Sequence, residues 1–136
     1  MSRIRPNIST KNKYHISRHK YYELKHFCLQ YPEWRKELLE AMPIIQSPKI
    51  SRVGYSGNFS DPTGEAAVRR NELLKRMKMV EQAAIAADAD LFPYILKAVT
   101  EDLSYTALEM EYEIPCGRDM YYDRYRKFFW LLSKDR

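Results

Sequence analysis

Residues 103–132 read LSYTALEMEYEIPCGRDMYYDRYRKFFWLL, and this stretch decides the fold. Ser104 stands as a side-chain cap ahead of a short helix to Tyr112, with Leu108 and Tyr112 turned inward. A break at Glu113–Gly117 contains Ile114-Pro115. The last helix then runs from about Arg118 to Ser133. Its apolar stripe is Tyr121, Tyr125, Phe128 and Leu132, widened by Phe129 and by the stem of Arg124. A short capped helix, a break and an amphipathic helix make a helix-turn-helix layout.

Working backwards, a further helix from Leu91 to about Glu101 has Asp88 or Asp90 as its cap and tolerates Pro93 in its first turn. Asp61-Pro62 announces a long helix to about Ala87, with Asp as cap and Pro at the first helical position. Ala66, Leu73, Met77, Val80, Ala84 and Ala87 share one stripe of it. That stripe nearly follows a heptad, so it packs within the chain or pairs with a second copy as a homodimer. Residues 43–60, PIIQSPKISRVGYSGNFS, carry no period and read as a loop or linker. Before them, residues 17–42 form a helical hairpin. Ser17 caps a helix to about Gln30, with Tyr21, Leu24, Phe27, Cys28 and Tyr31 on one face. Pro32 opens the next helix, which buries Trp34, Leu38 and Met42 and ends at Pro43. Residues 1–16 are a basic flexible arm. The expectation is an all-α protein: arm, N-terminal helical hairpin, long loop, and a helical domain over 61–136 whose helix-turn-helix spans about 91–134.

The net charge of +5 is unevenly placed. Residues 1–52 carry +7, 53–90 carry −1, 91–113 carry −4 and 114–136 carry +3. Two basic ends suit a polyanionic partner, because Lys and Arg that neutralise phosphates release condensed counterions. The mean hydropathy is −0.60, and no apolar run approaches the ~20 residues of a membrane span. The N-terminus lacks the apolar stretch of a secretory signal. Cys28 and Cys116 read as reduced packing thiols, which points to a cytosolic protein.

The candidate contact residues lie on the last helix. Arg118, Tyr122 and Arg126 fall at i, i+4 and i+8 on a face apart from the apolar stripe, with Asp119 and Lys127 beside them. Guanidinium forks suit guanine edges or phosphates, tyrosine reaches a phosphate or a thymine methyl, and Asp119 can accept from cytosine. The helix N-terminus also favours a phosphate. Arg3 and Arg5 of the arm suit an adjacent minor groove. His15, His19, His26 and Cys28 do not share one face, so no metal site is expected. No nucleophile–base pair, carboxylate constellation or phosphate-cradling glycine loop stands out, so neither an enzyme nor a cofactor is expected. The acidic group Glu101, Asp102, Glu109, Glu111 and Glu113 reads as solvated surface, or as a surface meeting basic residues of this chain or of RNA polymerase.

The 103–132 stretch resembles the C-terminal helix-turn-helix of phage late-gene transcription regulators of the ArpU/RinA type, which in turn resemble region 4 of sigma factors. The matching elements are Leu103-Ser104-Tyr105, the apolar group before the last helix (Ile114 or Cys116), Tyr121-Tyr122, the basic run Arg124–Lys127, and Leu131-Leu132. YYELKHFCLQYPEWRKELLEAM and Asp61-Pro62-Thr63 are similar to the opening and central helices of that family. Gly117 departs from the usual Ser or Thr cap, Asp119 from a common basic residue, and the break is longer than in a tight helix-turn-helix. The resemblance implies sequence-specific binding of double-stranded DNA by a transcription regulator of a phage or mobile element, acting at the bacterial nucleoid. Two other readings stand beside it: a small terminase-like packaging protein, which would form a ring, and a helical interaction module or antirepressor that binds no DNA.

Overall fold

The computed structural model describes residues 12–41 and 63–136, and among these the chain is all helical, with no strand. Six helices follow in order: α1 (Arg18–Leu29), α2 (Tyr31–Ala41), α3 (Thr63–Ala87), α4 (Phe92–Glu101), α5 (Tyr105–Tyr112) and α6 (Arg118–Asp135). The expected arm residues 1–11, Met42, Pro43, the 43–60 loop and the Asp61-Pro62 cap lie outside the described residues.

Local chemistry sets the helix ends. Ser17 Oγ accepts the Lys20 amide at 3.1 Å and starts α1. The Glu33 and Trp34 amides bond the Gln30 carbonyl at 2.9 and 3.0 Å, so Pro32 sits in a first turn where its missing N–H costs no hydrogen bond. Neither Asp88 nor Asp90 caps α4, whose N-cap is Leu91 with no side-chain cap bond; Asp88 Oδ1 instead accepts the Asp90 and Leu91 amides at 2.8 and 2.9 Å and closes the turn that leads into the helix. Ser104 Oγ accepts the Ala107 amide at 3.1 Å at the head of α5.

A single core runs from Ile16 to Leu132 and draws side chains from every helix. The α1–α2 hairpin shares it with the later helices: α1 packs on α4 and α6, and α2 packs on α3. Phe27 and Trp34 meet edge to face at 4.9 Å, and the Arg76 guanidinium lies 5.8 Å from the Trp34 ring. Glu37 and Arg69 form a two-pronged ion pair at 2.8 and 3.0 Å, and the Tyr31 hydroxyl donates to Glu81. Burial and that hydrogen bond push the Tyr31 phenol up to about 12.

The α3 stripe packs within the chain. Leu73, Val80, Ala84 and Ala87 are buried and Met77 partly so. Ala83 joins them, whereas Ala66, expected on the same stripe, is exposed. The stripe is therefore buried only from Leu73 onward. Its most extensive partner is α6, and the alanines keep the helices close. Tyr112, expected inward on α5, is instead exposed, and Tyr105 takes the buried position beside Leu108. Lys97 Nζ lies 4.9 Å from the outward Tyr112 ring. On α6, Tyr121, Phe128, Phe129 and Leu132 are buried as the spacing predicts.

Candidate nucleic-acid interface

The elbow between α5 and α6 is pinned at three points. Glu113 ends α5 in the left-handed region, at φ 51°, and turns the chain. Ile114 is buried beneath the turn. The Tyr105 hydroxyl donates to the Cys116 carbonyl at 2.7 Å, while its ring lies 5.5 Å from Tyr121 and 6.3 Å from Tyr122. One aromatic residue at the start of α5 thus fixes both the turn and the first two turns of α6.

That geometry leaves the N-terminal end of α6 open. Gly117 precedes the helix with extended backbone and no side-chain cap, and nothing lies within 4 Å of where its Cβ would be. Gly117, Arg118, Asp119 and Met120 are all exposed. The first amides of a helix have no intrahelical partners, and the helix dipole adds positive potential at the same place. The Arg118 guanidinium rests 5.0 Å from the Tyr105 ring and makes no ion pair among the described residues. A solvated cation held on an aromatic face stays available to an anion.

The remaining predicted contacts are placed differently. Tyr122 is half-buried, edge-on to Tyr121 at 5.2 Å and to Tyr125 at 6.4 Å, so it supports the elbow as well as facing outward. Arg126 is half-buried against Tyr14, Ile16, Tyr21, Tyr125 and Phe129, and its Nε is buried without a hydrogen-bond partner. The segment before α1 therefore covers the face on which Arg126 was expected to stand beside Arg118. Lys127 is half-buried and makes no ion pair among the described residues. Arg3 and Arg5 lie outside the described residues.

Arg124, beside the stripe, and Tyr125, within it, make bonds to other helices. Arg124 Nε donates to Asp88 Oδ2 at 2.9 Å, and its Nη1 donates to Asp123. This ties α6 to the α3–α4 corner. Burial raises the Asp88 carboxyl, but the Leu91 amide, the Arg124 guanidinium and the Asp90 amide together outweigh it and hold it below the usual range. The Tyr125 hydroxyl meets that of Tyr21 at 3.0 Å, and burial keeps the Tyr121 and Tyr125 phenols neutral far above physiological pH. Sequence reasoning missed Tyr105, although its spacing from Leu108 puts both on one helical face. It also missed the anchoring role of Tyr14 and Ile16, two large side chains in an otherwise polar segment.

Glu101, Asp102, Glu109, Glu111 and Glu113 are exposed. Among the described residues, no group of three or more His, Cys, Asp or Glu side chains converges as a metal site, and no helix is long and apolar enough to cross a membrane. Among the described residues the architecture is all-α, ending in two helices, α5 and α6, joined by the turn at Glu113–Gly117. No family model, curated protein or solved structure matches the chain.

Proposed function

We propose that this chain is a sequence-specific duplex-DNA-binding transcription regulator that inserts the N-terminal end of α6 into the major groove. The observation that carries this reading is the open α6 N-terminus, where Arg118 and Asp119 project from an uncapped helix start that Tyr105 holds in place. Arg118 supplies a fork for a guanine edge or a phosphate, and Asp119 accepts from cytosine or orients Arg118. Tyr122 acts mainly by positioning. Lys127 and the basic arm, with Arg3 and Arg5, add attraction that does not depend on sequence. Arg126, held under the Tyr14–Ile16 segment, contributes charge from the flank rather than a base contact.

A second reading has one observation in its favour. Met110 is 76% exposed on α5 between the exposed Glu109 and Glu111, a surface better suited to basic residues of a protein partner, such as those of RNA polymerase, than to phosphate. The two readings are compatible in a regulator that touches DNA through α6 and polymerase through α5.

The test is selection from a randomised duplex pool followed by sequencing. The regulator reading expects a consensus to be enriched by the wild type and lost with Arg118→Ala. A flat, unenriched pool overturns it. Mass in solution separates a monomeric or dimeric regulator from a ring-forming packaging protein.

A further inference from the structure

The segment before α1 is fastened to α6. Asn12 starts a tight turn, its Oδ1 accepting the Tyr14 amide at 2.7 Å and its carbonyl the His15 amide at 3.1 Å. Ile16 enters the core, and the Tyr14 ring packs on Trp130 of α6 with centroids 5.4 Å apart. Each ring also carries a cation. Lys13 Nζ lies 5.1 Å from the Tyr14 centroid, and Lys134 Nζ lies 4.1 Å from that of Trp130. The sequence Lys13, Tyr14, Trp130, Lys134 is thus a continuous ladder of ammonium, ring, ring and ammonium, joining two segments more than a hundred residues apart in the chain.

Both ladder lysines are exposed, Lys127, seven residues before Lys134, is half-buried, and none of the three makes an ion pair among the described residues. At 100° per residue Lys127 and Lys134 point within about 20° of one another, with Trp130 about 60° from the first and about 40° from the second. Asp123, one turn before Lys127, is engaged by Arg124, and the exposed Asp135 beside Lys134 points about 100° away from it around the helix. The charge displayed on the stripe is accordingly positive, and the rings flank the two ammonium groups.

We propose that this ladder is a second nucleic-acid contact, gripping the phosphate backbone that flanks the groove entered by α6. The inference rests on the DNA-binding reading and extends it. Length supports the placement: from residue 118 to residue 134, α6 rises about 24 Å, against a major groove about 12 Å wide. With Arg118 at the base edges, Lys134 lies beyond the groove lip; at 100° per residue it also points about 160° away from Arg118, so the backbone it meets lies outside the groove that Arg118 enters. The ladder also fixes where the basic arm leaves the fold, beside the C-terminal half of α6.

The chain's two tryptophans make this testable, because Trp34 is only 3% exposed whereas Trp130 sits in the ladder. A duplex oligonucleotide is titrated across a salt series while anisotropy and tryptophan emission are read, with Trp130→Phe identifying the emitter. The proposal expects Trp130 emission to change on binding. It also expects the Lys13→Gln/Lys134→Gln variant to lower the slope of log K against log salt by about 1.8, equally for preferred and random sequences. Lys13→Arg/Lys134→Arg should restore that slope, and thermal melts of all variants should match. If the wild type binds but the glutamine variant keeps its slope, or Trp130 emission does not change, the ladder is not a contact while the Arg118 reading stands. If the wild type binds no duplex, both fall.

Discussion

Replacing Asp88 with alanine removes three interactions at once: the two amides accepted at 2.8 and 2.9 Å, and the Arg124 guanidinium held at 2.9 Å. Losing the acceptor of these two turn amides, one of them exposed, costs about 1 kcal/mol. A hydrogen bond to a charged group is worth about 1.5–3 kcal/mol in general, but Arg124 is 31% exposed and keeps Asp123, so its share falls towards about 1 kcal/mol. The expected loss is about 2 kcal/mol for Asp88→Ala. For Asp88→Asn, which keeps an oxygen for the amides, it is about 1 kcal/mol. Urea unfolding at neutral pH reads both, and the alanine variant should melt roughly 6–10 °C lower. The pH dependence has a definite sign. Because the folded carboxyl titrates below its unfolded value of about 3.9, the wild-type advantage over Asp88→Asn is complete above about pH 4 and is lost as pH falls through the folded value. A cost of less than about 0.5 kcal/mol for the alanine variant refutes the corner's role. A wild-type advantage that persists undiminished in strong acid refutes its electrostatic part.

Other predictions follow from the same packing. Phe128→Ala, at a fully buried position of α6, should cost about 3–5 kcal/mol in urea unfolding with an unchanged m-value; a loss under about 1 kcal/mol would mean that α6 is not central to the core. Glu113→Gly should stabilise by about 1 kcal/mol, because the left-handed φ of 51° strains a side chain and not a glycine, whereas Glu113→Val should destabilise; the opposite order in thermal melts rules out the turn geometry. Burial pushes both thiols up, Cys28 most, so a thiol reagent should label the half-buried Cys116 slowly in the native protein and Cys28 only on unfolding; equal native rates contradict the α1 packing.

The helix starts were legible because capping is chemistry local to a few residues: Ser17 and Ser104 do what their positions announce. The α6 stripe was legible because four large side chains repeat over an 18-residue helix, long enough for a period to be unambiguous. On the eight-residue α5, Tyr105 and Tyr112 stand seven residues and about 20° apart on one face, so periodicity does not say which end of that face is covered; Tyr105 meets Tyr121 and Tyr122 of α6, whereas Tyr112 at the other end is exposed. Ala66 is exposed for a related reason: α3 starts before its buried stripe does. Arg118 and Asp119 stand where spacing put them, at the open helix end. Arg126 differs because Tyr14 and Ile16, remote in sequence, close over its flank. Asp88 was one of two equal candidates for a cap, and its partnership with Arg124, thirty-six residues on, is a product of the tertiary fold.

The central claim is that the N-terminal end of α6 meets DNA. It is tested most directly by anisotropy titration of a fluorescent duplex, taken from the selected pool, with wild type and Arg118→Ala across a salt series. The account predicts that log K falls linearly with log salt for the wild type. Arg118→Ala should remain folded and bind about 10- to 100-fold more weakly, with most of that loss on the preferred sequence. Equal binding by the two proteins, or none by the wild type at low salt, would contradict it.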